Sequence, residues 1–256
     1  MPINIEAALR RGVNRTVARN GLLLVGVLFV VSTVNTIVGL GVTRWVADRG
    51  VLPPEFPFPG EIGAAPLAVP PVVGGLVSLL AGLATIVLTI GALRTFVSDE
   101  TERLPGANFT QNIVWPGVNF FVGVIVFAII VGIGFVLFVI PGIFLLVALA
   151  FWTVYVATED RNFIAGMQES WALTRGHRLR LFLLGVAVVL IELVVSAVFG
   201  IGGVAGGVVG VVITQVGSAL TTVFTLATLA AAFNQLIALP SEEETVPADS
   251  ETPAPV

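Results

Sequence analysis

Four stretches of this chain contain no charged residue, and they constrain its fold more than any other feature: Gly21–Val42, Ile62–Leu93, Leu104–Thr158 and Leu193–Ser241. A helix needs about 20 apolar residues to cross the hydrocarbon core of a bilayer, and all four stretches reach that length. With 56% hydrophobic residues, 11% charged residues and a mean hydropathy of +1.03, the chain is also too apolar for a soluble domain of its size. These features predict a membrane protein.

We predict an all-α fold: a polytopic membrane bundle of six transmembrane helices with short interfacial amphipathic helices. The stretch Leu104–Thr158 is too long for one span. Pro141 and Gly142 mark its break, because proline cannot continue a preceding helix but suits the first turn of the next. The third and fourth spans should therefore form a tight hairpin. The six spans are expected near residues 21–42, 71–93, 115–138, 140–158, 181–199 and 210–236.

The arginines predict the orientation. The chain has no lysine, and ten of its twelve arginines fall on one side of a six-span arrangement, with Arg44 and Arg49 on the other. By the positive-inside rule we expect a multi-pass protein of the cell membrane with both termini in the cytoplasm. We divide it into a cytoplasmic N-terminal amphipathic segment (1–20), a membrane domain (21–238) and a disordered acidic cytoplasmic tail (239–256).

Composition argues against several kinds of chemistry. The chain has no cysteine and one histidine, which excludes disulfides and histidine-cluster zinc sites. No phosphate-binding loop and no nucleophile–base motif is recognisable, so we expect neither an enzyme nor a cofactor nor a metal. The acidic groups at residues 99–102 and 159–160 could meet and bind a divalent ion, although helix caps and turns are their usual role. An acidic, lysine-free composition also fits a salt-loving archaeon, a halophile.

The external loop between the first two spans is rich in proline, which stiffens a chain into extended geometry. One interpretation is a lid or a strip that docks a partner. The other is a spacer packed over the helix ends, and we favour it because proline enrichment alone carries no chemistry.

A charged segment between the fourth and fifth spans has the pattern of a short amphipathic helix in the interface. Thr158 or Asp160 could cap it, and Phe163, Met167 and Trp171 recur at helical spacing. The segment therefore predicts a surface helix between two spans.

This helix should stop at Gly176, after which Arg178 and Arg180 can extend to lipid headgroups. His177 stands beside that stop. A catalytic role would need a nucleophile or a paired carboxylate, and no such motif is present, so we interpret His177 as an interfacial side chain.

These residues also carry a resemblance. The combination of Pro141-Gly142 at a helix hairpin with a later acidic pair and an E-S-W-x-L-T-R-G motif resembles the membrane-domain family attached to some glycerophosphodiester phosphodiesterases, and its stand-alone prokaryotic relatives. The resemblance covers roughly residues 105–238. It implies a six-helix membrane domain without a catalytic centre, since the soluble phosphodiesterase domain has no counterpart here. The matching residues are Pro141, Gly142, Glu159, Asp160, Glu169, Ser170, Trp171, Thr174, Arg175 and Gly176.

A weak internal repeat is also visible. The segment RNGLLLVGVLFVV from Arg19 resembles RLRLFLLGVAVVL from Arg178, and each places a basic stretch before a span. This predicts a unit of one surface helix and two spans, used three times. Such repeats occur in transporters and also in inert scaffolds.

Glu192 is the residue that most needs an explanation, because it falls near the middle of the fifth span. An ionised carboxylate there costs roughly 2.5 to 3.5 kcal/mol, so the side chain should face the bundle, protonated or hydrogen-bonded. By depth, Asn35 and Gln215 are its expected partners. The three residues are our candidate ligand or proton site. Structural contact and proton-coupled transport are equally supported interpretations of Glu192.

Two functions follow from these observations. The first is a non-enzymatic integral membrane protein that organises the envelope or stabilises a partner. The alternative is a small transporter or permease with a midplane site around Glu192; an intramembrane enzyme ranks third. The expected partners are the lipid bilayer and a membrane protein or a second copy of the chain, not nucleic acid.

Overall fold

The computed structural model describes residues 3–51, 67–203 and 206–239. The predictions for most of the proline-rich loop and for the acidic tail fall outside these residues. The described part is all-α, as predicted. Its helices are α1 (Ile5–Val17), α2 (Arg19–Ala47), α3 (Pro71–Val97), α4 (Ala107–Thr110), α5 (Val114–Leu137), α6 (Val139–Ala148), α7 (Trp152–Thr158), α8 (Phe163–Leu173), α9 (Arg178–Gly203) and α10 (Gly207–Ile237).

In the described part of the chain, six helical segments are long and apolar enough to cross a membrane, which confirms the predicted number of spans. They are α2, α3, α5, the combined α6–α7 segment, α9 and α10. Most of them extend a few residues beyond the predicted limits, because a helix can continue past the apolar core with polar or small residues at its ends.

The break between the third and fourth spans lies at Phe138, not at Pro141-Gly142. Phe138 is extended, with φ −160° and ψ 149°, and it separates α5 from α6. Pro141 is the third residue of α6, where its missing N–H costs no helical hydrogen bond. An added Cβ on Gly142 would meet the ring of Phe135, so this glycine permits the tight hairpin.

Both predicted surface segments contain helices, and each is capped by an asparagine. The Asn4 side chain accepts from the amide of Ala7 to begin α1, and that of Asn162 accepts from Ala165 to begin α8. The predicted caps of α8 were wrong. Thr158 instead donates to the carbonyl of Val154 within α7, and the carboxylate of Asp160 pairs with Arg94. Asn162, directly before α8, caps it.

The spans form three antiparallel hairpins around a common centre. The inner spans are α3, α6–α7 and α10: α3 contacts both α7 and α10, and the rings of Phe151 and Tyr155 pack against Phe233 at 5.9 and 5.2 Å between centroids. The outer spans lie between them, with α2 against α3 and α10, α5 against α3 and α6–α7, and α9 against α6 and α10. One short helix precedes each hairpin, in agreement with the predicted threefold unit.

Hydrogen bonds join the helix ends at one end of the bundle. Asn234 at the end of α10 donates to the carbonyl of Val97 at the end of α3, and Arg180 at the start of α9 donates to that of Ile3. We call this the arginine-rich end. The buried aromatic contacts lie toward it, whereas the first half of α3 is exposed at Leu76, Leu79, Leu80 and Leu83.

Candidate functional site

Arg94, in the last turn of α3, connects the end of α7 with the loops that follow α4 and α7 at the arginine-rich end. Its guanidinium donates to the carbonyls of Ala157 at 2.6 Å and Gln111 at 2.8 Å, and forms an ion pair with Asp160 at 3.0 Å. The other carboxylate oxygen of Asp160 accepts from Asn112 at 2.8 Å. Asp160 has φ 52°, a backbone conformation that asparagine and aspartate tolerate better than most residues. Asp160 is therefore held in a polar cluster that joins α3, α5 and α7.

Ser170 and Thr174, in the E-S-W-x-L-T-R-G motif, stabilise the break between α6 and α7. Both side chains are fully buried. Ser170 donates to the carbonyl of Ala148 and accepts from the amide of Phe151, each at 3.0 Å, and Thr174 donates to the same carbonyl at 3.2 Å. A broken helix leaves backbone groups unpaired, and in a membrane protein another part of the protein must satisfy them. Two hydroxyls one turn apart, on α8 and at its C-cap, do so here.

The other motif residues lie around α8. Glu159 and Glu169 flank Arg161, at 3.6 and 3.1 Å. Gly176 has φ 83°, which fits the predicted stop after α8. His177 has its Nδ1 atom 3.3 Å from the carbonyl oxygen of Arg175.

Arg178 lies between two aromatic rings rather than extending freely from the bundle. Its guanidinium carbon is 4.6 Å from the ring centroid of Phe144 and 4.4 Å from that of Trp171, and these two rings pack edge to face. Cation–π contacts of this kind stabilise an arginine that is partly removed from water. Arg178 thus fixes the start of α9 against α6 and α8.

The acidic group after α3 also has separate partners. Asp99 pairs with Arg15 of α1, which donates to the carbonyl of Phe96 at 2.7 Å. Burial, and secondly the charge of Arg11, lower the pKa of Arg15. The carboxylate of Glu100 accepts from two backbone amides, which lowers its pKa below the ordinary value of 4.5. These acids cap a turn and anchor α1.

Glu192 lines a crevice between α9 and α10. Its Oε1 atom accepts a hydrogen bond from the hydroxyl of Thr225, near the middle of two apolar spans. The crevice has a volume of about 380 Å³, and hydroxyl groups line it as well as apolar side chains. Ser196 of α9 and Ser218 of α10 lie on its walls, are exposed at the bundle surface, and have no side-chain hydrogen bond within the described residues. The crevice therefore opens sideways, toward the membrane.

Asn35 and Gln215 are not the partners of Glu192. Gln215 donates to the hydroxyl of Thr36 on α2 at 2.6 Å, and the Oδ1 atom of Asn35 is buried without a hydrogen bond in the described part of the chain. The reason is the position of α10, which lies between α2 and α9 and presents different faces to them. The three predicted residues thus belong to two places, one on each side of α10.

Sequence reasoning missed Thr225 and the hydroxyl stripe that contains it. Thr214, Ser218, Thr221 and Thr225 recur at spacings of four, three and four residues, so they share one face of α10. That spacing was the available signal. The positive-inside rule uses only the charge of Arg94. The polar residues Gln111 and Asn112, between the second and third spans, were a signal for the hydrogen-bonded cluster around it.

The comparisons with known proteins give a family without an activity. A family model described as a domain of unknown function (DUF7847) matches residues 3–236. No curated protein and no solved structure matches the chain.

Proposed function

The chain belongs to the DUF7847 family of domains of unknown function. We propose that it is a non-enzymatic protein of the cell membrane that stabilises a partner membrane protein. In this proposal both termini are cytoplasmic, and the partner's transmembrane helix lies in the crevice between α9 and α10. We include in this proposal that the chain shares a non-catalytic role with the membrane domains attached to some glycerophosphodiester phosphodiesterases, which it resembles.

The single observation that carries the proposal is the set of unbonded polar groups in the crevice wall. Hydroxyls that face hydrocarbon without a hydrogen bond are costly, so the crevice favours an occupant that can pair with them. Its lining also includes Gly200, around which an added Cβ would meet nothing within 4 Å. Small residues and hydroxyls are the surface that lets a transmembrane helix approach closely.

The absence of an active site is part of the proposal, and the motif geometry supports it. Ser170 and Thr174 are occupied by backbone groups, and Asp160 by Arg94 and Asn112. Side chains used in this way hold the fold together, and none of these three is free to attack a substrate.

Crosslinking in native membranes tests the proposal. Because the chain has no cysteine, single substitutions Ser196→Cys and Gly200→Cys can carry a photoreactive maleimide without background labelling. We expect an adduct of defined size at both positions and its loss when Glu192→Leu is added. Val194→Cys is the matched control, since Val194 is exposed on the opposite side of α9. Equal crosslinking from Val194 would refute the proposal, and an adduct of twice the chain mass would identify a second copy as the partner.

Transport is the second candidate, and the carboxyl group of Glu192 in a crevice of about 380 Å³ is the observation that favours it. An intramembrane acid can carry a proton. Thermal unfolding of Glu192→Gln and Glu192→Leu, combined with rescue of a deletion strain, separates the interpretations. Transport predicts that Glu192→Leu is as stable as the parent, forms the crosslinks unchanged and fails to rescue. If rescue follows stability alone, Glu192 is a packing residue.

A further inference from the structure

A second cavity lies at the other side of the bundle, away from the crevice at Glu192. It is a groove of about 450 Å³ between α5, α8 and the start of the α6–α7 break. Ile130, Leu149, Met167 and Trp171 form its walls, which are almost entirely apolar. The apolar face of α8 packs against Leu149 and Trp152 and also borders this groove.

Two hydrogen-bond donors lie along the rim of this groove. Gln168 lies on α8 and Arg175 in the turn that follows it, and both are exposed. Within the described residues, the side chains of both make no hydrogen bond or ion pair. Arg175 differs in this from Arg161 and Arg178, which are held by carboxylates and by aromatic rings. A free guanidinium at the edge of an apolar groove is complementary to an anion with a hydrocarbon chain.

The position of Arg175 fits the same occupant. It lies three residues before α9 begins, where the chain passes from a charged segment into an apolar span. Lipid phosphates are found at that boundary, and arginine binds phosphate through two parallel N–H donors.

We propose that this groove is a binding site for one anionic glycerophospholipid. An acyl chain lies along Ile130, Leu149 and Trp171, and the headgroup phosphate accepts hydrogen bonds from Arg175 and Gln168. This site is separate from the crevice, so the proposal does not depend on a partner protein.

The test uses the purified full chain in a neutral detergent, titrated with phosphatidylglycerol, with phosphatidylcholine or with inorganic phosphate, while thermal unfolding is recorded. We expect saturable stabilisation by phosphatidylglycerol only. Arg175→Gln should weaken its apparent affinity roughly tenfold, because a hydrogen bond to a charged group is lost. Arg103→Gln is the matched control: it removes the same charge from an exposed arginine of the loop after α3.

Filling the groove separates a lipid site from a surface charge effect. Ala172→Phe, or the smaller Ala172→Leu, should abolish the saturable stabilisation and leave unfolding of the lipid-free protein unchanged. Equal stabilisation by both lipids would overturn the proposal, and so would equal losses in Arg175→Gln and Arg103→Gln. Stabilisation by inorganic phosphate alone, or unchanged binding in the filled variants, would identify a free-anion site in place of a lipid site.

Discussion

Ser170 and Thr228 are both buried residues with a hydroxyl, and they differ in how that hydroxyl is used. Ser170 bonds both sides of the α6–α7 break, at Ala148 and Phe151, whereas the Oγ1 atom of Thr228 has no hydrogen bond within the described residues. A buried polar group stabilises a fold only when it is paired. The two residues thus allow a direct comparison of a used and an unused hydroxyl.

Ser170→Ala should destabilise the protein by about 1–3 kcal/mol, because it leaves the buried amide of Phe151 without an acceptor. Thr228→Val keeps the shape of the side chain and removes only an unbonded hydroxyl, so it should be neutral or stabilising. Thermal unfolding of the two variants beside the parent measures the difference. Equal losses in both would mean that Ser170 contributes through packing alone.

Glu100 predicts a pH dependence at the arginine-rich end. Its ionised carboxylate accepts from the amides of Glu102 and Arg103 at 3.1 and 3.3 Å, so its pKa in the fold is lowered from 4.5. A lowered pKa means that the stabilisation is present above the unfolded pKa and is lost as pH falls through the folded one. Between roughly pH 5 and pH 3, the unfolding midpoint should therefore fall more steeply in the parent than in Glu100→Gln.

The size of this effect should be small and should decrease with added salt, because Glu100 is close to solvent. Glu102→Gln is the control, since the Glu102 side chain has no such bonds in the described residues. Parallel pH profiles for the parent and Glu100→Gln would contradict the assignment.

At the level of helices, the short elements were the hardest to predict. The sequence pattern located α8 and its stop at Gly176, but it favoured a helix lying freely in the interface. In the fold, α8 packs along α7, with Gly166 near the backbone of Trp152. Amphipathic spacing shows only that one face is apolar, and it does not show whether lipid or another helix covers that face. The same limit applied to α1.

The packing of α1 against α10 depends on Gly12. An added Cβ there would meet the side chains of Thr228 and Phe224, whereas one at Gly26 would meet nothing within 4 Å. Gly12→Ala should therefore loosen α1 by about 1–3 kcal/mol, while Gly26→Ala should be neutral or stabilising because alanine favours a helix. Limited trypsin cleavage after Arg10 and Arg11 measures the loosening, and it should be roughly tenfold faster in Gly12→Ala.

Cleavage at the parent rate in Gly12→Ala would show that α1 tolerates the added methyl group by a small shift. Faster cleavage in both variants would indicate a general loss of stability. Thermal unfolding of the same samples distinguishes a local change from a global one.

For the whole molecule, hydropathy predicted the spans but not their order around the centre. The span number follows from the lengths of the uncharged apolar stretches, and Pro141 indicates the hairpin of α5 and α6 to within three residues. That α3, α6–α7 and α10 form the inner set depends on which faces are complementary, such as Phe151 and Tyr155 against Phe233. The hydroxyl stripe of α10 faces α9 and does not identify that choice, and the other sides of these spans are largely apolar. This is why Asn35 and Gln215 were wrongly grouped with Glu192.

The orientation of the bundle is the remaining prediction at this scale. Ten arginines precede or follow spans at the arginine-rich end, where their charge opposes translocation, and Arg44 and Arg49 lie at the other end. In this cysteine-free chain, Glu102→Cys marks the first end and Val51→Cys the second. A membrane-impermeant maleimide added to intact cells should label Val51→Cys only, and it should label both variants after the membrane is opened. Labelling of Glu102→Cys alone in intact cells would show that the orientation is the reverse of the predicted one. The helices α1 and α8 and the lipid groove would then lie on the outer side of the membrane.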